Sequence, residues 1–569
     1  MKKIALAALL SLPAIAAGAQ TFSDALLFSE NNYYGTARTI AIGNAVTALG
    51  GDLGTVGINP AGSAVASYSQ FTISPGLAIL GNNAGYSTSS QYDYSGWNRA
   101  DRTKFTVPNF ASSMVFDTYQ PNGLKSFTVA FAANSTNQFL NDFTGYGMND
   151  DTSLLGSFAA GASPYSPADL LKRENYLNST IPWNYLLAYR SGMISEAIGE
   201  DGKPVVDPDG FYTYLGTTEK MYDEDGKSVI RTMGQLDQLA RVESYGSKTD
   251  FVMNMGFNIS DRLFLGFNLG LPFASYNYSE VFRETAVDPG QFEVEYGDGV
   301  TTYFSHATYQ YTQSSEYAGI YGKIGAIWLP AKGLRLGAAV QTPTLYTVDE
   351  TWAVDGSTSF LDAVYFTSDS SPLNDYTYNL TTPWRFNAGV AYTFNGRGLI
   401  SADLDMTDYK SMKFSTVDGF GANTFYLEND VNRNFAGMQY YGRFGVEYKI
   451  IPEIALRAGY TFKTSPEYYR FDKYGDRFSA SDYMYWYDEF GSGRDWLEGR
   501  EALPETVHSY SLGFGFSSEG SFFADVAFRL TSYPTAYYNP YSEYVEGYLP
   551  EVAFTRNLTD MVLTLGWRF

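Results

Sequence analysis

Apolar side chains recur at every second position along much of this chain. In the last nine residues Trp567, Leu565, Leu563 and Met561 share one parity, and Arg568, Gly566, Thr564 and Val562 share the other. A period of two describes a strand with one oily face and one small or polar face. Trp384, Phe386, Ala388, Val390, Tyr392 and Phe394 repeat the pattern against Arg385, Asn387, Gly389, Ala391 and Thr393. The turn Asn395-Gly396-Arg397-Gly398 follows, and Asn-Gly predicts a tight hairpin into Leu399 to Lys413. Equivalent pairs are Lys104–Phe116 with Leu124–Asn134, Phe251–Ile259 with Leu263–Tyr278, and Tyr317–Trp328 with Leu334–Val348. Two more are Tyr440–Ile450 with Ile454–Phe462, and Ser509–Phe516 with Ser521–Leu530. With the single strands Phe71–Leu80 and the C-terminal run, the total is fourteen. An even count suits a closed antiparallel barrel whose short turns face the periplasm and whose long loops face outside. The fold expected is all-β: a 14-stranded transmembrane barrel.

The two ends of the chain refine this. Lys2 and Lys3 precede an apolar run from Ile4 to Ala17, and Ala17-Gly18-Ala19 fits a cleavage site, so residues 1–19 read as a signal peptide. Residues 20–67 are glycine- and alanine-rich, alternate little, and are too few for a large independent domain; ahead of a barrel they can plug its lumen as a hatch. Residues 68–569 then form the barrel, with the largest loop at about 138–248. Within that loop Ser166 reads as a helix N-cap followed by Pro167. Leu170, Leu171, Leu186, Leu187, Ile194 and Ile198 are candidates for its apolar faces. Asp223-Glu224-Asp225-Gly226 lacks calcium-loop spacing and reads as a turn, so no metal site is expected.

Composition fits a barrel with aromatic girdles, at 48 Tyr, 40 Phe and 55 Gly. No cysteine is present, which removes disulfides and thiolate chemistry. A net charge of -23 excludes nucleic acid as a partner. Only His306 and His508 exist, and His508 and Ser509 point to opposite faces of a strand, so neither an enzyme nor a resident cofactor is expected.

Several short motifs occur together. Asp52 and Gly54 precede Asn59-Pro60-Ala61; Val107-Pro108-Asn109 lies in the second strand; Asp405-Met406-Thr407-Asp408-Tyr409 ends another; Leu456-Arg457-Ala458-Gly459-Tyr460 is followed by Ser465-Pro466. In this combination the chain resembles the FadL/TodX family of outer-membrane transporters of long-chain fatty acids and other hydrophobic compounds. The loops at 138–248 and 464–506 look longer than in typical members. The resemblance implies passive uptake: capture at the extracellular loops, passage gated by the hatch, and lateral exit into the bilayer. It makes Asn59, Pro60 and Ala61 the hatch motif and Phe22 a hatch aromatic that touches substrate. It sets the lateral opening at a kink in the third strand, here Ala132 to Ser135, with Asn134 and Ser135 in it. The face pattern slips at the same level in the second strand, near Pro108 and Asn109, where Phe105 and Val107 share one parity and Phe110, Met114 and Phe116 the other.

Parity places Arg335, Arg385, Arg443, Arg457, Lys323, Lys449 and Lys463 in the lumen. They could take a fatty-acid carboxylate, or pair with Glu447, Asp403, Asp405 and Asp525. The partners expected are a fatty acid or aromatic hydrocarbon, outer-membrane lipid and lipopolysaccharide, around a monomeric barrel in the bacterial outer membrane. The aromatic-dense stretches 468–496 and 533–548 keep a second class open: a surface adhesin or structural barrel, or a receptor for a flat hydrophobe such as hemin.

Overall fold

In the computed structural model the fourteen expected strands close into one antiparallel ring. It describes residues 21–569 except 89–93, 200–201, 208–209, 225–226, 296–298, 363–365, 395, 418–423, 484–496, 519 and 542–548. The leader, Asn395 of the hairpin turn, and the Asp225-Gly226 turn lie outside the described residues.

The wall strands are β1 (Gln70–Ser87), β2 (Ser95–Asp117), β3 (Leu124–Gln138, resuming at Asn141–Asn149), β4 (Leu236–Ile259), β5 (Leu263–Ala286), β6 (Thr301–Ala331) and β7 (Leu334–Gln341, resuming at Leu345–Phe360). They continue as β8 (Asn374–Thr381, then Arg385–Phe394), β9 (Gly398–Asp408, then Lys413–Thr416), β10 (Met438–Ile451), β11 (Ile454–Thr464), β12 (Thr506–Ser517), β13 (Phe522–Ser532, then Ala536–Tyr538) and β14 (Glu551–Arg568). Each pairs with its sequence neighbours, and β1 closes on β14 from Gln70↔Arg568 to Ser87↔Glu551.

The outer face is oily. Trp384, Phe386, Val390, Tyr392 and Phe394 are exposed on β8, as are Tyr510, Leu512, Phe514 and Phe516 on β12. Such a belt, about 9–11 residues tall on each strand, needs lipid as its solvent. Among the described residues no helix is long and apolar enough to cross a membrane; the strands make the crossing.

Several strands run well beyond the expected ranges. β6 begins at Thr301 rather than Tyr317, and β3 and β4 carry the wall out to Asn149 and back from Leu236, shortening the great loop. Above the membrane the outward face becomes polar, so the oily/polar contrast that marks a strand in sequence fades there. Among the described residues the loop between Asn149 and Leu236 holds four helices, Leu154–Ala162, Pro167–Leu171, Asn175–Asn178 and Trp183–Arg190. Ser166 caps the second of them with Pro167 at its first position, as the sequence predicts. Leu170, Leu186, Leu187 and Ile194 are buried, whereas Leu171 and Ile198 face solvent. The first and the last of these helices roof the lumen, with Phe158 against Tyr309 and Trp183 against Trp352.

Residues from Thr21 onward thread the lumen as short helices, 22–29 and 37–41, and tight turns, 53–55 and 60–65. A belt of inward glycines receives them. A Cβ on Gly256, Gly266, Gly325, Gly337, Gly459 or Gly513 would overlap plug atoms from Ser63, Pro60, Asn59, Thr47, Gly43 or Ala41 respectively. The belt is a matter of register, because Gly256 pairs with Gly266, and Gly266 with Gly325. Strand glycine weakens a ladder, and here it is the close approach of a second backbone that requires it.

Candidate functional site: a plugged lumen beside a break in the wall

The Asn-Pro-Ala motif fastens the plug. Asn59 is fully buried and caps the turn Pro60–Val65, its Oδ1 accepting from Ala61 N–H at 3.1 Å. Its Nδ2 donates to Thr47 O at 2.7 Å and reaches across to Ala326 O of β6 at 3.1 Å. Pro60 gives up no hydrogen bond at the first helical position. Ala61 packs with Phe264 and Ile327 of the wall.

The lumen cations that parity predicts are brought to the plug or to acids. Arg335 donates to Leu49 O at 2.6 Å, Lys323 to Gly57 O at 2.8 Å, and Arg385 to Ser29 O. Lys463 meets Glu30 and the Asn32 side chain. Burial pushes the Glu30 carboxyl up, and the cations around it, Lys463 first and then Arg556 and Lys248, together bring it below its ordinary range. Arg457 lies between Glu447, at 2.7 Å, and Asp525, and Glu447 also takes Arg38 of the plug at 2.8 Å. Arg443 sits 3.5 Å from Asp403 and faces the ring of Tyr33. Asp405 accepts from Tyr33 OH at 2.5 Å. Lys449 keeps the inward parity at the short-turn end, where it is exposed and lines a polar cavity of ≈ 280 Å³ with Arg38, Asp52, Tyr68 and Glu453.

Beside the plug the wall is incomplete. The β2–β3 ladder runs from Asp117↔Ser126 to Asn109↔Asn134 and, among the described residues, pairs no further. Above it β3 shifts register against β4 between Ser135 and Asn137, and β2 jumps against β1 between Ser74↔Asn109 and Gly76↔Thr106. Pro75 and Pro108 face this jump from the two strands, and neither can donate to a ladder. The parity slip read from the sequence is therefore present in the wall. Side chains replace backbone here. Asn109 donates to Asn134 Oδ1 at 2.7 Å, and Gln138 donates to Ser135 Oγ at 2.9 Å. The plug joins in, with Asn32 N–H donating to Thr136 O at 2.7 Å.

Higher up, Arg102 of β2 crosses to Asp142 of β3 at 3.0 Å and to Glu243 of β4, and Arg241 adds a contact to Glu243 at 3.1 Å. Lys104 reaches Gly246 O at 2.7 Å. Sequence reasoning missed this clasp. Its only local trace is that Arg102 and Lys104 share the inward parity of β2.

Above the plug the lumen turns aromatic. Phe22 and Phe28 of the first plug helix are buried in a cluster that extends to the roof. Rings lead upward from Phe28 to Tyr276 at 5.9 Å, Tyr278 at 6.5 Å, Tyr311 at 6.1 Å, Trp352 at 6.2 Å and Trp183 at 4.2 Å. Sequence alternation assigns these tyrosines no role because the outward face of their strands turns polar at this level and the oily/polar contrast fades. The two histidines stand apart from all this: His508 Nδ1 lies 3.0 Å from Tyr460 OH, and Ser509 Oγ is 2.9 Å from Thr531 Oγ1.

No protein-family model matches the chain, and no curated protein matches it. Among solved structures it is similar to a Pseudomonas aeruginosa FadL homologue, at 10% identity and TM-score 0.49, covering 95% of this chain and 100% of that one. It is also similar to the Pseudomonas putida toluene transporter TodX, at 10% identity and TM-score 0.46 over 95% and 99%. The Ralstonia pickettii toluene transporter TbuX follows at 14% identity and TM-score 0.43, again over 95% and 99%. Each likeness spans the barrel from end to end, while the strand count, closure and plug stand on this chain's own register and contacts.

Proposed function

We propose that this protein is a passive outer-membrane transporter of hydrophobic molecules of the FadL/TodX kind, with a leader over residues 1–19, a hatch over 20–67 and a barrel over 68–569. The observation that carries the proposal is the end of the β2–β3 ladder at Asn109↔Asn134, beside a plug that fills the lumen below. A hydrophobe captured at the loops would descend the aromatic lumen past Phe22 and leave through the wall at Pro108, Asn109, Asn134 and Ser135. Release into lipid keeps the gain of about 25 cal/mol per Å² of apolar surface withdrawn from water. Release into the periplasm would forfeit it. In this reading the hatch motif Asn59, Pro60 and Ala61 is the fastening. Arg335, Arg385, Arg443, Arg457 and Lys463 act on substrate only by exchanging plug or acid contacts for it. Lipid and lipopolysaccharide would solvate the outer belt of a monomeric barrel.

The cysteine-free chain allows a clean test. Arg102→Cys with Asp142→Cys, joined by a short bis-maleimide, ties the strands across the break. Proteoliposomes with the untied barrel should take up labelled toluene or oleate, and tying should abolish uptake without changing binding at the loops. Uptake that survives tying would refute lateral exit. Binding with no movement in either form would favour adhesion.

A further inference from the structure

The aromatic lumen contains a carboxylate pair that the transport path does not use. Asp24, on the first plug helix, and Glu350, on β7, are 3% and 0% exposed. Gln313 Nε2 donates to Glu350 Oε2 at 2.9 Å, and the same side chain interacts with Asp24, whose Oδ2 accepts from Thr21 N–H at 2.9 Å and from Thr21 Oγ1 at 2.6 Å. Ser315 Oγ and Tyr378 OH also donate to Glu350 Oε2, at 3.1 and 3.3 Å. Its Oε1 is buried with no partner at all. Neither acid has an ion-pair partner among the described residues, whereas the cations Arg335, Arg385, Arg443, Arg457 and Lys463 are engaged by plug groups or wall acids.

The surroundings are rings. Tyr276, Tyr311 and Tyr378 all lie within electrostatic reach of both carboxylates. Tyr311 abuts Trp352, whose indole Nε1 is also buried and unpartnered. Two buried acids without a counter-charge, in a cage of Tyr and Trp, disfavour a fatty-acid anion, whose negative charge would enter a water-poor space that offers it no cation. They favour an organic cation. Its ammonium offers donors to the free Glu350 oxygen and a positive charge to the ring faces. Burial pushes the Asp24 carboxyl up to about 6 against the hydrogen bonds from Thr21, which favour the charged form, as a nearby cation would.

From this arrangement we infer that Asp24 and Glu350 form a binding site for the amine end of a hydrophobic cargo, held within the cage of Tyr276, Tyr311, Tyr378 and Trp352. The inference rests on the transport reading and names its substrate class. Because Asp24 belongs to the plug and Glu350 to the wall, an amine held between them would also bridge the two.

The test compares three probes of one skeleton on the full-length barrel in nonionic detergent: phenethylamine, ethylbenzene and 3-phenylpropionate. Equilibrium dialysis gives affinity, and Trp fluorescence gives an independent signal. The amine should bind at least about tenfold tighter than either other probe. Glu350→Gln, which keeps the shape and removes the charge, and Asp24→Asn should each erase that preference while leaving ethylbenzene affinity unchanged. Asp24→Asn serves alone if Glu350→Gln does not assemble. Equal or tighter binding of 3-phenylpropionate would overturn the inference, as would a preference for the amine that survives both substitutions. Failure of all three probes to bind would overturn it too, while hydrocarbon uptake by the untied barrel would still stand as the separate test of transport.

Discussion

Asn59 offers the sharpest handle on whether the plug is fastened as its contacts indicate. Asn59→Ala removes the cap of the turn Pro60–Val65 and the donations to Thr47 O and Ala326 O. Loss of a cap costs about 0.5–2 kcal/mol. Each lost buried hydrogen bond adds about 0.5–1.5 kcal/mol, and the residue's complete burial leaves no water to replace it. The expected penalty is about 2–4 kcal/mol, and since tenfold corresponds to 1.4 kcal/mol the detached population rises by roughly 30- to 900-fold. The barrel ladders do not include Asn59, so the cost should fall on the plug alone. Hydrogen exchange followed by peptide mass analysis reads this directly. Peptides across residues 45–65 should exchange faster by that factor, while the β5 and β6 peptides near Gly266 and Gly325 change little. A loss below about threefold, or equal acceleration of the wall strands, would refute the idea that Asn59 fastens a separable plug.

Gly325→Val should drive the plug from the same point by steric means. The new side chain meets Asn59 Oδ1 and Pro60 Cδ, at an overpacking cost of about 1–3 kcal/mol, read as faster exchange over residues 57–65. Arg102→Gln should loosen the wall clasp. Its ion pairs are partly screened, with the arginine 32% exposed, so the effect is about 1 kcal/mol, seen as roughly fivefold faster exchange in Asn141–Asn149. Asp24 gives a pH dependence with a definite sign. Its folded-state value lies above the ordinary 3.8, at about 6, so the hold on the first plug helix is strongest below that window and weakens as pH rises through it. Exchange over residues 21–29 should therefore quicken between those two pH values beyond its intrinsic rise, and Asp24→Asn should remove the excess.

The barrel was legible because lipid-facing strands carry their contrast in every second residue. All fourteen strands could be placed from runs such as Trp384 to Phe394, where the outer face is oily and the inner face small or polar. Where the wall leaves the membrane that contrast disappears, so the sequence does not mark Thr301–Ser315 of β6 or Asn141–Asn149 of β3 as strand. Pro108 and its parity slip correctly marked an irregular wall, since a proline without its N–H acts on the ladder locally. The clasp of Arg102, Asp142 and Glu243 was invisible because its members are far apart in sequence and meet only through closure of the ring. Asp24 and Glu350, more than 300 residues apart, were hidden for the same reason.

Charge is distributed in this lumen by level, and that distribution bears on what can pass. At the level of the plug Arg457 is engaged with Glu447 and Asp525, Lys463 with Glu30, and Arg335 and Arg385 with plug carbonyls. A carboxylate arriving there would have to displace a buried partner, and breaking a buried pair leaves an uncompensated charge at a cost of about 3–5 kcal/mol. Higher up, among the described residues, Glu350 retains an unpartnered oxygen and Asp24 has no cation. On the proposed route a molecule would meet these acids among rings first, and the satisfied cations of the plug level afterwards. The cheapest passenger on that proposed route would be one whose charge, if it has any, is positive, and whose bulk stays in the aromatic lumen down to the end of the β2–β3 ladder at Asn109.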